Sequence, residues 1–121
     1  MISFELPLRL VSEANSRSHR FAKARRVKSQ REVVTLGLRT RVRSKPTLPA
    51  VVTLTRIAPR RLDDDNAVSS QKAIRDSIAA WLGVDDRSPL VTWRYAQEQG
   101  RPKTYAVRIE ITPATAEGET R

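Results

Sequence analysis

The sequence predicts an α+β domain: a four-stranded sheet with two helices packed on one face, in the order β-α-β-α-β-β. Three observations carry this. Apolar residues alternate with a period of two near both ends of the chain, a β-branched run lies in the middle, and a helical apolar stripe follows it. At 121 residues the chain has room for one hydrophobic core and not two.

Ile2, Phe4, Leu6, Leu8 and Leu10 fall on one side of an extended segment, which reads as a half-buried strand, and Pro7 places it at a sheet edge. Residues 12–28 carry six cations among Ser, Ala and Asn with few large apolar side chains, and are expected to form a mobile basic loop. Ser29 and Glu32 match a capping box, so the first helix is expected to begin at Ser29 and to bury Val33, Val34, Leu38 and Val42, with Gly37 weakening it. Val51–Ile57 is a β-branched run suited to a buried strand that Pro59 ends.

One long helix is expected from Asp65 to Leu82, because Ala67, Gln71, Ile74, Ile78, Trp81 and Leu82 share a stripe of the wheel and Gly83 follows. Two alternating segments, Leu90–Gln97 and Thr104–Thr112, are expected to pair as a hairpin through Gln99-Gly100-Arg101-Pro102. The domain is thus expected to span residues 1–112, with 113–121 a disordered tail.

Charge narrows the function. The chain holds 23 Lys and Arg against 13 Asp and Glu, a formal net of +10. Residues 1–61 contain 15 basic and 3 acidic side chains, whereas residues 62–121 contain 8 and 10. A basic half joined to an acid-containing half suits a surface that attracts phosphate beside a site that needs cations to admit it. Zero cysteines exclude disulfides, thiolate zinc clusters and thiol nucleophiles, and fit a reducing cytoplasm. The sequence has no apolar run long enough for a membrane span, and Met1–Leu10 lacks the pattern of a signal peptide.

Two acidic clusters flank the long helix: Asp63-Asp64-Asp65-Asn66 before it and Asp85-Asp86 after it. Asp65 and Lys72 are seven positions apart, about 20° on the wheel, so both would line one exposed wall. Carboxylates that hold divalent cations, with a lysine nearby, suit phosphodiester cleavage. The same residues also suit a plainer role. Asp and Asn cap helices and complement the positive end of the dipole, Asp85-Asp86 fits a solvated turn, and Lys72 with Asp76 fits an i,i+4 pair. A helix of ~18 residues spans about 27 Å, so the clusters meet only if the next strand returns alongside it.

Leu62-Asp63-Asp64-Asp65-Asn66, then Gln71-Lys72-Ala73 within a helix, then Asp85-Asp86 ahead of a strand, resemble the central motif of the RusA family of Holliday-junction resolvases, common in phages and prophages. The resemblance covers residues 51–111. It implies that Asp63, Asp65 and Asp86 are metal-binding catalytic carboxylates, with Asp85 the alternative third acid, Asn66 at the helix start and Lys72 as the catalytic lysine. In the family's best-known pattern the lysine follows the second aspartate by four positions; here that position is Ser69 and Lys72 follows by seven. The resemblance further implies Mg²⁺ (or Mn²⁺) as cofactor, a homodimer acting on four-way DNA junctions in the cytoplasm of a bacterial or phage-infected cell, and DNA contacts from Arg17, Arg20, Lys23, Arg25, Arg26 and Lys28. Phe21, set among these cations, is a candidate wedge against unstacked bases, and His19 a phosphate contact. The competing class is a non-catalytic basic nucleic-acid-binding module whose aspartates only cap a helix.

Overall fold

A computed structural model of the chain describes residues 1–10 and 20–114. The elements are β1 (Ile2–Leu6), α1 (Arg20–Arg41), β2 (Ala50–Ala58), α2 (Asp64–Ser70), α3 (Lys72–Leu82), β3 (Val91–Gln99) and β4 (Ala106–Pro113). The class is α+β, as the patterning predicts, with a mixed sheet ordered β1-β4-β2-β3.

Alternation decides the two faces of the sheet. Phe4 and Leu6 of β1, Val52 and Leu54 of β2, Val91 of β3 and Val107, Ile109 and Ile111 of β4 all join one core. Val34 and Leu38 of α1 and Ile74 and Ile78 of α3 meet them there, each fully buried. The opposite face is polar. On it Arg108 of β4 reaches Glu5 on β1 at 3.0 Å and Glu98 on β3 at 3.0 and 3.2 Å. The reach to Glu98 passes over β2, where Thr55 is consequently buried. Strand β1 lies at an edge, where Pro7 can end it without losing a ladder bond.

Several expectations need correction or refinement. The first helix begins at Arg20, not Ser29, so residues 20–28 are helical rather than a loop. Arg, Lys and Ala are strong helix formers, and their intrinsic preference outweighs the scarcity of large apolar residues that suggested a loop. Ser29 and Glu32 lie within the helix and mark no start. The second is a refinement, because Gly37 also has a packing role within the helix. An added Cβ there would lie 2.7 Å from Leu6 Cδ2, so the glycine admits β1 against the helix.

The third is the long helix, which is two. It breaks at Gln71 (φ −104°, ψ 7°), whose N–H bonds Val68 O at 3.1 Å while Arg75 N–H returns to Gln71 O at 3.0 Å. The 20° wheel relation between Asp65 and Lys72 assumed an unbroken helix and does not hold across this break. The last is the hairpin: β3 pairs with β2 in parallel and β4 pairs with β2 antiparallel, so β2 lies between them. Alternation identifies a strand and its faces but not its neighbour. In addition, Pro113 closes β4 rather than opening a tail, and Ala114 N–H bonds Pro49 O at 2.8 Å.

Candidate functional site

Strand β2 ends in the turn 59–63, and that turn is fixed to β3. Gln97 accepts from Leu62 N–H through Oε1 at 2.9 Å and donates from Nε2 to Leu62 O at 2.8 Å. This pair delivers Asp63, Asp64 and Asp65 to the start of α2, all three exposed. Asp63 occupies the N-cap position, yet its side chain makes no capping hydrogen bond. Asp64 pairs with Arg61 at 3.5 Å. Among the described residues neither Asp63 nor Asp65 engages a cation or a hydrogen-bond donor through its carboxylate.

The second acidic segment is held elsewhere on β3. Gly83, in the left-handed region at φ 78°, ends α3 and turns the chain into it. Trp93 Nε1 and Arg75 Nη2 both donate to Asp86 O, at 3.1 and 2.6 Å. Arg75 also donates to Tyr95 Oη at 2.8 Å, stacks 4.9 Å from the Trp93 ring and lies 3.5 Å from Asp86 Oδ2. That last contact is an ion pair rather than a hydrogen bond, since Arg75 Nε has no bonded partner. Asp85 accepts from Arg87 N–H at 2.8 Å, a bond that holds its carboxyl below the usual range.

The two acidic segments therefore flank one stretch of β3, with anchors at Gln97 and Trp93 about 13 Å apart at the usual rise per residue. Tyr95 lies between these anchors and lines a cleft with Asp64, Ala67 and Val68. Among the described residues no three carboxylates or imidazoles come together as a metal-holding set. Asp63 and Asp65 both lie at the start of α2, whereas Asp86 belongs to the other segment and pairs with Arg75. The hard oxygen donors at 63 and 65 fit Mg²⁺, which commonly takes one or two protein carboxylates and completes its shell with water and substrate phosphate.

Lys72 opens α3 and is exposed, with its ammonium 3.4 Å from Asp76 Oδ2. The i,i+4 pairing expected of a solvated helix face is thus present. Arg31 of α1 reaches the same carboxylate at 3.2 Å, tying α1 to α3. Lys23, Arg31, Ser69 and Lys72 line a cleft of about 350 Å³ between these helices. Along the outer face of α1 a shallow groove of about 790 Å³ is lined by Lys28, Glu32, Leu36 and Arg39 among others, and holds none of Asp63, Asp65, Asp85 and Asp86.

Of the sequence-predicted DNA contacts, Lys23, Arg25 and Lys28 are exposed along α1, Arg26 is half-buried and Arg20 begins the helix. Arg17 and His19 lie outside the described residues, and Phe21 is 61% exposed. Asn66 lies one position inside the first turn of α2 from Asp65 and is half-buried. Sequence reasoning missed Arg75 and Tyr95, which fix the second acidic segment, and Arg56, a charge on the core-facing side of β2. A charged residue at a core-facing position of a strand was the available signal.

No protein-family model matches the chain, and no curated protein matches it. No helix among the described residues is long and apolar enough to cross a membrane.

Proposed function

We propose that this chain is a Mg²⁺-dependent, structure-selective DNA endonuclease of the RusA type that resolves four-way junctions by paired strand cleavage as a homodimer. The observation that carries the reading is the state of Asp63 and Asp65. They stand exposed at the head of α2, with no capping bond to account for them, in a chain whose first half is strongly basic. Asp63 and Asp65 would hold the cation, and Asp86 would join them on release from Arg75. Bound there, the ion would supply an activated water and neutralise charge on the phosphate.

The chain's own residues divide the remaining work. Helix α1 carries eight basic side chains and one acidic one over 22 residues, a rod of about 33 Å suited to track a phosphate backbone. Lys72, in an exposed pair with Asp76, exchanges that carboxylate for a phosphate oxygen at little cost. The rival reading is a non-catalytic nucleic-acid-binding module. The Asp86–Arg75 pair favours it, because it engages the third acid; the missing cap at Asp63 speaks against its account of the aspartates.

The two separate on a synthetic four-way junction with and without Mg²⁺. The nuclease reading expects symmetric nicks from the wild type, and an Asp65→Asn variant that binds without cutting. Wild-type binding with no cleavage in Mg²⁺ or Mn²⁺ leaves the module.

A further inference from the structure

The C-terminal end of β2 holds a cluster of cations that the acidic site does not use. Arg56 is 7% exposed, on the core-facing side of the strand. Its Nε donates to Leu10 O at 3.4 Å, and its Nη1 donates to Arg60 O at 2.7 Å and Gln97 Oε1 at 3.4 Å. All three acceptors are neutral. Its Nη2 has no hydrogen bond among the described residues and is not closed off from solvent. Burial pushes the Arg56 guanidinium below its ordinary pKa, and the Arg9 charge adds to this against an opposing effect of Tyr105.

Arg56, Arg9 and Arg60 line one hollow of about 260 Å³, with Tyr105 as part of the wall. Arg9 stacks 4.3 Å from the Tyr105 ring centre, which fixes its guanidinium at the rim. No carboxylate lines this hollow or pairs with any of the three arginines among the described residues. A desolvated guanidinium without a counter-charge is costly, and like charges beside it raise that cost. Carbonyl acceptors satisfy its hydrogen bonds but not its charge. An oxyanion would do both, and the planar donor fork of arginine matches phosphate.

We propose that Arg9, Arg56 and Arg60 form an oxyanion site that takes a phosphate group. That its ligand is a phosphodiester of the DNA backbone rests on the nuclease reading; the site itself does not. Leu62 lines the same hollow and immediately precedes Asp63. A phosphate seated there lies beside the acids, and sets the register of the strand that passes them.

The test uses the exposed members, because Arg56 also ties together Leu10, Arg60 and Gln97. A fluorescein-labelled junction is titrated without Mg²⁺ across a KCl series, with Arg60→Gln, Arg9→Gln/Arg60→Gln and, as a control on the open sheet face, Arg94→Gln. The slope of log K against log salt is expected to fall by about 0.9, the value of one phosphate contact, for the double variant, by less than that for Arg60→Gln, and to stay unchanged for Arg94→Gln. In parallel, inorganic phosphate is compared with chloride at equal ionic strength. It is expected to raise the thermal midpoint of the wild type but not of the double variant. A changed slope without the phosphate effect assigns the site to the DNA backbone. A lost phosphate effect with no DNA binding by the wild type assigns it to free phosphate and sinks the nuclease reading alone. Unchanged slopes together with equal phosphate responses overturn the oxyanion site.

Discussion

Arg75 is the residue through which α3, the second acidic segment and β3 become one rigid unit, and replacing it with alanine gives a calculable loss. Two charge-assisted hydrogen bonds go, to Tyr95 Oη at 2.8 Å and Asp86 O at 2.6 Å. With them go the stacking on Trp93 at 4.9 Å and a half-exposed ion pair to Asp86 at 3.5 Å. A net hydrogen bond to a charged donor is worth about 1.5 kcal/mol at the low end, and the exposed cation–π contact about 0.5 kcal/mol. The ion pair, between two partly exposed side chains at a distance too long for a hydrogen bond, adds at most about 0.5 kcal/mol. The expected cost is therefore about 3.5–4 kcal/mol, or on the order of 10–15 °C in thermal midpoint for a domain of this size. Arg75→Lys keeps the charge but not the fork and should lose roughly half of that. Urea unfolding followed by tryptophan fluorescence reads both, since Trp93 is one of the reporters. A loss below ~1 kcal/mol for Arg75→Ala, or an Arg75→Lys variant as stable as the wild type, would refute the fork as the organising contact.

Gln71 is fully buried with Oε1 unpartnered, while Ser70 Oγ already donates to Ala67 O at 2.8 Å. Gln71→Leu should therefore raise the unfolding free energy by about 1 kcal/mol, and a loss in urea unfolding would contradict this. Gly83→Ala places a side chain at φ 78° and should cost about 1 kcal/mol, measured the same way, with Gly83→Asn costing less. Asp85 has its carboxyl held low in the folded state by Arg87 N–H, so its contribution is present above the ordinary value of 3.8 and is lost as pH falls through the lowered one. The stability gap between wild type and Asp85→Ala should accordingly close on acidification below pH 3.8 and stay constant above it. Arg108→Ala removes contacts to both Glu5 and Glu98 across the open sheet face, and should cost about 1–2 kcal/mol at low salt and less at high salt.

Much of the fold was legible in the sequence because its strands alternate cleanly. Val107, Ile109 and Ile111 reach the core as their spacing requires. What was not legible depended on forces that binary patterning does not carry. The N-terminal half of α1 is helical by propensity, with few large apolar side chains to announce it, so residues 20–28 read as a loop. The break at Gln71 falls inside an unbroken apolar stripe, since Ala67, Ile74 and Ile78 remain buried on either side of it. The neighbours of β4 followed from tertiary pairing with β2, not from the Gly100 turn.

For the site, the sequence located the acids but not their company. Asp63 and Asp65 emerged exposed and uncapped, which a capping role does not require. The partners of Asp86 come from α3 and β3, 11 residues back and 7 residues on, and only the folded chain brings Arg75 and Trp93 to it.

The claim on which the functional account turns is that Asp63, Asp65 and Asp86 serve one divalent cation. Mn²⁺ titrated into ¹⁵N-labelled protein at low stoichiometry tests it directly, through paramagnetic broadening of backbone amides. The account predicts selective broadening of residues 62–66 and 84–87 together, abolished in both segments by Asp63→Asn/Asp65→Asn. Broadening confined to one segment, or spread over the acidic surface without preference, would contradict it.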